Sequence, residues 1–215
     1  MKVMILAAGR GERLRPLTDS IPKALVEVRG QSLLERHLDK IRDAGINDVV
    51  INLGWKGEKI RDRLGSGSRF GLNIEFSDEG DNVLETGGGV LKALHLLGDD
   101  AFLVMNADIC SDMPIPQINL PESSLGHLVL VPSPAYRDGG DFELVDGKIQ
   151  NGESPTLTFS GVAQYRAEIF DGCEQGRFSI VPLLRKFADA GRLSGSLYEG
   201  FWADIGTPER LAALK

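Results

Sequence analysis

The chain is poor in cysteine and histidine, and it has no long apolar run. Its two cysteines, Cys110 and Cys173, form no Cys-x-x-Cys pair, and His37, His95 and His127 stand far apart. That spacing argues against a zinc site, and two free thiols fit a reducing cytoplasm. No stretch approaches the ~20 apolar residues of a membrane-crossing helix. Lys2 is followed by only a short apolar run before Gly9 and Arg10, which is not the h-region of a signal peptide. The expectation is a cytoplasmic protein with no membrane partner. Positive charge is also scarce: 24 Lys and Arg against 31 Asp and Glu leave a net charge of −7. A general nucleic-acid binder needs an extended basic face, so nucleic acid is not an expected partner. There is no internal repeat, coiled coil or low-complexity segment, and no obvious Ser/His/Asp or Cys/His constellation.

What remains is enough for one globular domain with a proper core: 215 residues, 42% hydrophobic and 26% charged. The cations that are present cluster. Residues 1 to 29 hold Lys2, Arg10, Arg13, Arg15, Lys23 and Arg29 against Glu12, Asp19 and Glu27, a local +3 in an acidic chain. A basic segment of that size suits a small anionic ligand.

The same segment has a strand-and-loop pattern. Val3 to Leu6 is an apolar run too short for a helix, and it reads as a buried parallel strand. The chain then turns at Ala7 to Gly11. Gly9 and Gly11 permit positive φ and close approach of a ligand to bare backbone, with Arg10, Arg13 and Arg15 just beyond the strand's carboxyl end. That chemistry grips a polyphosphate; alternatively, the loop is a glycine-rich connection with solvated arginines. It is not a dinucleotide fingerprint, because Leu14 stands where the third glycine or alanine is needed. It is not a P-loop either, because Glu12 follows Gly11.

Further along, helical periodicity over Ser32 to Ala44 closes at Gly45, Asp48 to Leu53 is an apolar strand, Lys56 to Leu64 a short polar helix and Leu72 to Phe76 a strand. This alternation predicts βαβ units: an α/β, doubly wound, mostly parallel sheet. Residues 78 to 85 are acidic and aperiodic, which predicts an exposed loop leading through Thr86-Gly-Gly-Gly89 into a helix from Val90 to Leu97. Three consecutive glycines are costly unless something approaches the backbone closely, and a ligand is the expected visitor. Ala101 to Met105 is a buried strand delivering Asp108 to the rim that carries the glycine loop, where on the residues alone it reads as a capping aspartate or as a ligand-binding one. His127 to Val131 is a strand, Phe142 to Ile149 a hairpin turning at Asp146-Gly147, and Leu157 to Tyr165 a strand interrupted at Ser160-Gly161. Ile180 to Ala190 is an amphipathic core helix, and Thr207 with Pro208 caps a closing helix to Leu214.

Taken together, Leu6-Ala-Ala-Gly-Arg-Gly-Glu-Arg13, Pro16-Leu-Thr18, Pro22-Lys23, Glu85-Thr-Gly-Gly-Gly89, Asn106-x-Asp108 and Trp202-x-Asp204-x-Gly206-Thr207 resemble the signature of the sugar-1-phosphate nucleotidylyltransferases. The resemblance implies a GT-A-type Rossmann-like fold and a single domain over 1–215, with a nucleotide-binding half to about residue 110. A sugar-binding half with a small β-hairpin subregion would follow. It implies a nucleoside triphosphate held by Leu6, Ala8, Gly9, Gly11, Glu12, Arg13, Lys23, Glu79 and Gly87. The sugar 1-phosphate would lie against Glu85, Thr86, Asn106, Asp141, Gly161 and Trp202, and Mg²⁺ would sit on Asp108 and Asp204. Arg13, Lys23, Asp108 and Asp204 are then the catalytic group. Asp141 has a second reading as a turn residue. Within the family the resemblance is nearest to short uridylyltransferases that lack a hexapeptide-repeat acyltransferase domain. It extends through Gly65-x-Gly-Ser-Arg-Phe-Gly71, Gly140-Asp-Phe142 and Leu157-Thr-Phe-Ser-Gly161, and it implies UTP as donor with no obligatory protein partner. One element is missing: no Glu-Lys-Pro lies between Phe142 and Phe159 to supply the lysine that holds the sugar phosphate in many members. Lys23, Arg13 and Arg29 are the candidates in its place.

Rival readings are a mannose- or glucose-1-phosphate nucleotidylyltransferase, a phosphocholine cytidylyltransferase, and an inactive sugar-nucleotide sensor. The last would have lost an aspartate or a key cation, and none is lost. A nicotinamide oxidoreductase is disfavoured by Leu14.

Overall fold

In the computed structural model, which describes residues 1–80 and 82–214, thirteen strands and six helices follow one another along the chain. The strands are β1 Val3–Leu6, β2 Glu27–Val28, β3 Gln31–Ser32, β4 Asp48–Leu53, β5 Asn73–Asp78, β6 Phe102–Asn106, β7 Ile109–Ser111, β8 Gly126–Pro132, β9 Glu143–Val145, β10 Lys148–Gln150, β11 Leu157–Tyr165, β12 Leu193–Leu197 and β13 Trp202–Asp204. The helices are α1 Leu17–Ser20, α2 Leu33–Asp43, α3 Gly57–Leu64, α4 Glu85–Leu97, α5 Val181–Asp189 and α6 Pro208–Ala212.

Nine strands form one sheet in the order β5-β4-β1-β6-β11-β8-β12-β10-β9. Only β11 and β10 run against the other seven, so the sheet is mixed but mostly parallel in direction. Successive side chains on a strand point to opposite faces, and the core divides accordingly. Val3 and Ile5 of β1 join Val49 and Ile51 of β4 under Leu34, Leu38 and Ile41 of α2 and Ile60 and Leu64 of α3. Met4 and Val50 face the other way, under Val90, Ala93 and Leu97 of α4 and Leu184 and Ala188 of α5. Helices therefore cover both faces, which is the doubly wound arrangement expected. Each such leucine or isoleucine withdrawn from water contributes roughly 1.5–3 kcal/mol.

Local signals set the boundaries. Ser32 caps α2, its Oγ accepting from the Glu35 backbone N at 3.2 Å and donating to Glu35 Oε2 at 2.8 Å. Thr207 caps α6, with Pro208 at the first helical position. The hairpin between β9 and β10 turns at Asp146 (φ 50°) and Gly147 (φ 74°), and β11 is bulged between Phe159 and Val162, both where expected.

Two expectations are corrected. The helix expected to begin at Val90 begins at Glu85, so the three glycines are inside α4. What approaches them is the chain itself: a Cβ on Gly87 would lie 2.3 Å from the Phe178 ring, and one on Gly88 2.1 Å from the Gly176 carbonyl oxygen. The loop expected over 78–85 is not wholly exposed either. Glu79 is buried at 7%; Asp81 lies outside the described residues. Short strands β2, β3, β7 and β13 and the five-residue β12 went unpredicted, being too brief or too polar to show a period.

Candidate active site

The parallel strands β4, β1 and β6 end side by side, with Leu6 in register with Asn52 and Asn106. The glycine loop leaves β1 at that rim and is held from behind. Ala7 N donates to Asn52 Oδ1 at 2.6 Å, Asn52 Nδ2 donates to Glu79 Oε1 at 2.6 Å, and Glu79 Oε2 accepts from Leu84 N at 2.7 Å. Burial raises the Glu79 pKa, against the opposing pull of these two bonds. The bracket thus ties the loop to the entry of α4. Gly11 takes up φ 63°, and a Cβ there would lie 2.9 Å from Thr18 Cγ2 and 3.0 Å from Lys23 Cβ. Only glycine fits that backbone comfortably. Thr18 Oγ1 also donates to the Gly11 carbonyl at 2.8 Å.

Lys23 packs beneath this loop and donates from Nζ to Asp108 Oδ2, joining positions 85 residues apart. Asp108 follows β6, and its carbonyl accepts from Ile205 N at 2.9 Å. β13 pairs with β7, Asp204 standing opposite Ile109. The backbones carrying the two aspartates are therefore bonded to one another, although nearly a hundred residues separate them in sequence. Beneath them Leu14, Val26, Val28, Leu33, Cys110, Ile205 and Leu211 form a separate apolar cluster that anchors the loop, the ribbon and α6 together.

Asp204 has its own partners. Its Oδ2 accepts from Arg210 Nη1 at 2.5 Å, and its Oδ1 accepts from the Tyr136 hydroxyl. Burial and the adjoining carboxylate push the Tyr136 phenol up to about 12. Neither Tyr136 nor Arg210 carries a sequence signal that marks it. Both come to Asp204 through tertiary structure alone.

These elements enclose a cleft of about 1160 Å³. Of the residues expected at the site, Leu6, Ala8, Gly9, Gly11, Glu12, Arg13, Lys23, Glu85, Thr86, Asn106 and Asp108 line it. Gly206, the neighbour of Asp204, lines it too, as do Arg10 of the basic loop and Asn52, Asn82 and Arg177, the last three of which sequence reasoning did not select. Arg177 Nε donates to Glu85 Oε1 at 2.9 Å across the mouth.

Six expected residues are placed elsewhere. Glu79 is the buried bracket, and Gly87 is packed on Phe178. Asp204 adjoins the cleft through Gly206. Asp141 accepts from Phe159 N at 2.9 Å and from Arg137 Nη2 at 2.9 Å, which is its turn reading, tying a loop to β11. Trp202 Nε1 donates to the Ser160 carbonyl at 2.9 Å. Gly161, at φ 80°, supports Asn106: a Cβ there would lie 2.7 Å from Asn106 Nδ2. Both residues shape the wall behind Asn106.

Among the described residues there is no cluster of three or more His, Cys, Asp or Glu side chains able to hold a metal. No helix of the described residues is long and apolar enough to cross a membrane.

Comparison with known proteins gives a consistent answer. A family model described as "Nucleotidyl transferase" matches residues 2–122. An N-acetylmuramate α-1-phosphate uridylyltransferase of Neisseria meningitidis serogroup B is 46% identical over 98% of this chain and 95% of its own. One of the same name from Caulobacter vibrioides is 36% identical over 98% and 94%. Among solved structures, HddC from Yersinia pseudotuberculosis complexed with GMP-PN superposes with a TM-score of 0.81 at 22% identity, covering 99% of this chain and 97% of its own. At that identity the likeness establishes the fold.

Proposed function

The chain belongs to the nucleotidyl transferase family, and from that premise we propose that it transfers a uridylyl group from UTP to N-acetylmuramic acid α-1-phosphate, releasing pyrophosphate. The observation that carries this reading is the convergence on one cleft of the glycine loop, Arg13, Lys23, Asn106 and Asp108. The choice of base and sugar is supported by the 46% identity with the Neisseria enzyme over nearly the full length of both chains. The reaction would recycle a cell-wall sugar in the cytoplasm.

The chemistry needs little from acid–base catalysis. A phosphate monoester has a second pKa near ~6, so the attacking oxygen already carries charge at neutral pH. What the residues must do is align that oxygen with the α-phosphorus and neutralise charge on the triphosphate. The loop backbone at Gly9 and Gly11 receives phosphate oxygens, Arg13 reaches the outer phosphates, and Lys23 enters from beneath. Asn106 and Thr86 face the sugar side of the cleft.

Asp108 and Asp204 suit a hard divalent cation: they offer oxygen donors only, from adjacent backbone positions. With two protein carboxylates, such an ion would complete its shell with phosphate oxygens and water. When bound, Mg²⁺ would supply charge neutralisation on those oxygens.

The test is pyrophosphate release across a grid of UTP, GTP, CTP, TTP and ATP against N-acetylmuramic acid 1-phosphate, N-acetylglucosamine 1-phosphate, mannose 1-phosphate, glucose 1-phosphate and phosphocholine, with and without a chelator. Turnover confined to UTP with N-acetylmuramic acid 1-phosphate, and lost with chelator, is the expected pattern. A maximum elsewhere in the grid overturns the substrate assignment.

A further inference from the structure

Arg210 is a charged group beside the cleft to which these roles give no work. Its backbone N donates the capping bond to Thr207 Oγ1, so α6 does not need its side chain. The guanidinium instead lies on Asp204, with Nη1 2.5 Å from Oδ2, and both side chains remain 23% exposed. It is stacked on Tyr136, its central carbon 3.7 Å from the ring centroid, a cation–π geometry. A Cβ on Gly206 would lie 2.7 Å from Arg210 Nη1, 3.1 Å from Asp204 Oδ2 and 3.4 Å from Arg13 Nη2. Two guanidinium groups and a carboxylate thus crowd the one residue of this turn that lines the cleft.

Asp108 shows the same arrangement with Lys23. Each carboxylate assigned above to a divalent ion is matched by its own cation. A carboxylate oxygen cannot give its full electron density to a guanidinium and a divalent ion at once, and the stronger local charge takes it. Arg210 would then be released beside Arg13, its ring platform intact. Its planar fork suits the oxygens of a phosphate monoester better than a point charge does.

We propose that Arg210 is a placeholder cation. It neutralises Asp204 while no metal is bound, gives up that oxygen when the divalent ion arrives, and then takes the phosphate of the sugar 1-phosphate. It thereby supplies the cation that the missing Glu-Lys-Pro element leaves wanting. This rests on Asp204 being a metal ligand.

The experiment measures Mn²⁺ binding without nucleotide, from the electron paramagnetic resonance signal of free Mn²⁺, in wild-type protein, Arg210→Ala, Arg210→Lys and Asp204→Asn. The KM of each substrate is measured alongside. The expected result is Mn²⁺ bound three- to tenfold more tightly by Arg210→Ala, with the KM for sugar 1-phosphate raised at least tenfold and that for UTP within twofold. Arg210→Lys falls between, and it carries the same readouts should the alanine variant fail to fold. Removing any cation beside Asp204 would tighten Mn²⁺ binding, so the raised KM for sugar 1-phosphate is what separates the placeholder role from a merely structural ion pair. Unchanged or weaker Mn²⁺ binding in the Arg210 variants, or an unchanged KM for sugar 1-phosphate, overturns the inference. Asp204→Asn separates the two levels: wild-type Mn²⁺ binding there sinks the metal assignment itself, whereas its loss leaves the Arg210 result to decide the placeholder role.

Discussion

Asn52 and Glu79 meet behind the glycine loop, Nδ2 to Oε1 at 2.6 Å, and through their remaining atoms they hold Ala7 on one side and Leu84 on the other. Two loops that line the same cleft are therefore set by one buried pair. Replacing Asn52 with Ala leaves the Ala7 N–H and a Glu79 oxygen without partners, at a cost of about 1–3 kcal/mol for each buried group so stranded. Thermal unfolding should show the loss, and the KM for UTP should rise, because the loop is no longer pre-set. A variant with unchanged stability would show that water replaces the bracket freely.

Lys23 and Asp108 are predicted to matter for turnover far more than for folding. Their contact is partly exposed, worth roughly 1 kcal/mol or less, so Lys23→Ala and Asp108→Asn should shift the melting midpoint by only a few degrees. Loss of a positioned charge at the reacting phosphates should lower kcat about a hundred- to thousandfold. Near-normal kcat in either variant, measured by pyrophosphate release, would remove that residue from the catalytic group.

Gly88 inverts a general rule. Ala in place of Gly inside a helix ordinarily gains about 1 kcal/mol. Here the added Cβ would meet the Gly176 carbonyl oxygen at 2.1 Å, and overpacking of this kind costs typically 1–3 kcal/mol. Chemical denaturation of Gly88→Ala should give a net loss of stability; a gain would mean that the segment carrying Gly176 moves aside without penalty.

Gly161→Ala tests the proposed role of Asn106. The new methyl would collide with Asn106 Nδ2 at 2.7 Å, and φ 80° is unfavourable for alanine. The expected outcome is a raised KM for sugar 1-phosphate with little change for UTP. Equal effects on both substrates would argue against Asn106 as a sugar contact.

His37 sets a pH dependence of stability. Its ring is fully buried, and burial, aided by Lys40, pushes its pKa down to about 4. Between that value and about 6.5, the unfolded chain binds a proton that the folded chain refuses, so stability falls as pH drops through this window. The contribution at stake is on the order of 3 kcal/mol. His37→Leu should flatten the curve of unfolding free energy between pH 7 and pH 4; an unchanged slope would assign it to other groups.

The sheet was legible because buried parallel strands write themselves as apolar runs, as at 3–6, 48–53 and 102–106, and the glycine loop with Lys23 was legible because its residue types and spacing are local. Three features were hidden for physical reasons. The start of α4 was hidden because three glycines argue against a helix, and only the docking of Phe178 and Gly176 makes them necessary. Glu79 looked like loop charge because its partner Asn52 lies 27 residues away. Arg210 and Tyr136 were hidden because their contact with Asp204 crosses a turn in one case and 68 residues in the other.

The order of strands has a practical consequence. β11 lies between β6 and β8, and Arg177 and Gly206 close the cleft that the first strands open. A fragment ending near residue 122, where the family model's match stops, would leave β6 with a bare edge and the binding groove without its far wall. Chimaeras that graft a foreign C-terminal half onto this glycine loop must therefore exchange interleaved strands, not a terminal block, and a simple splice should yield insoluble protein.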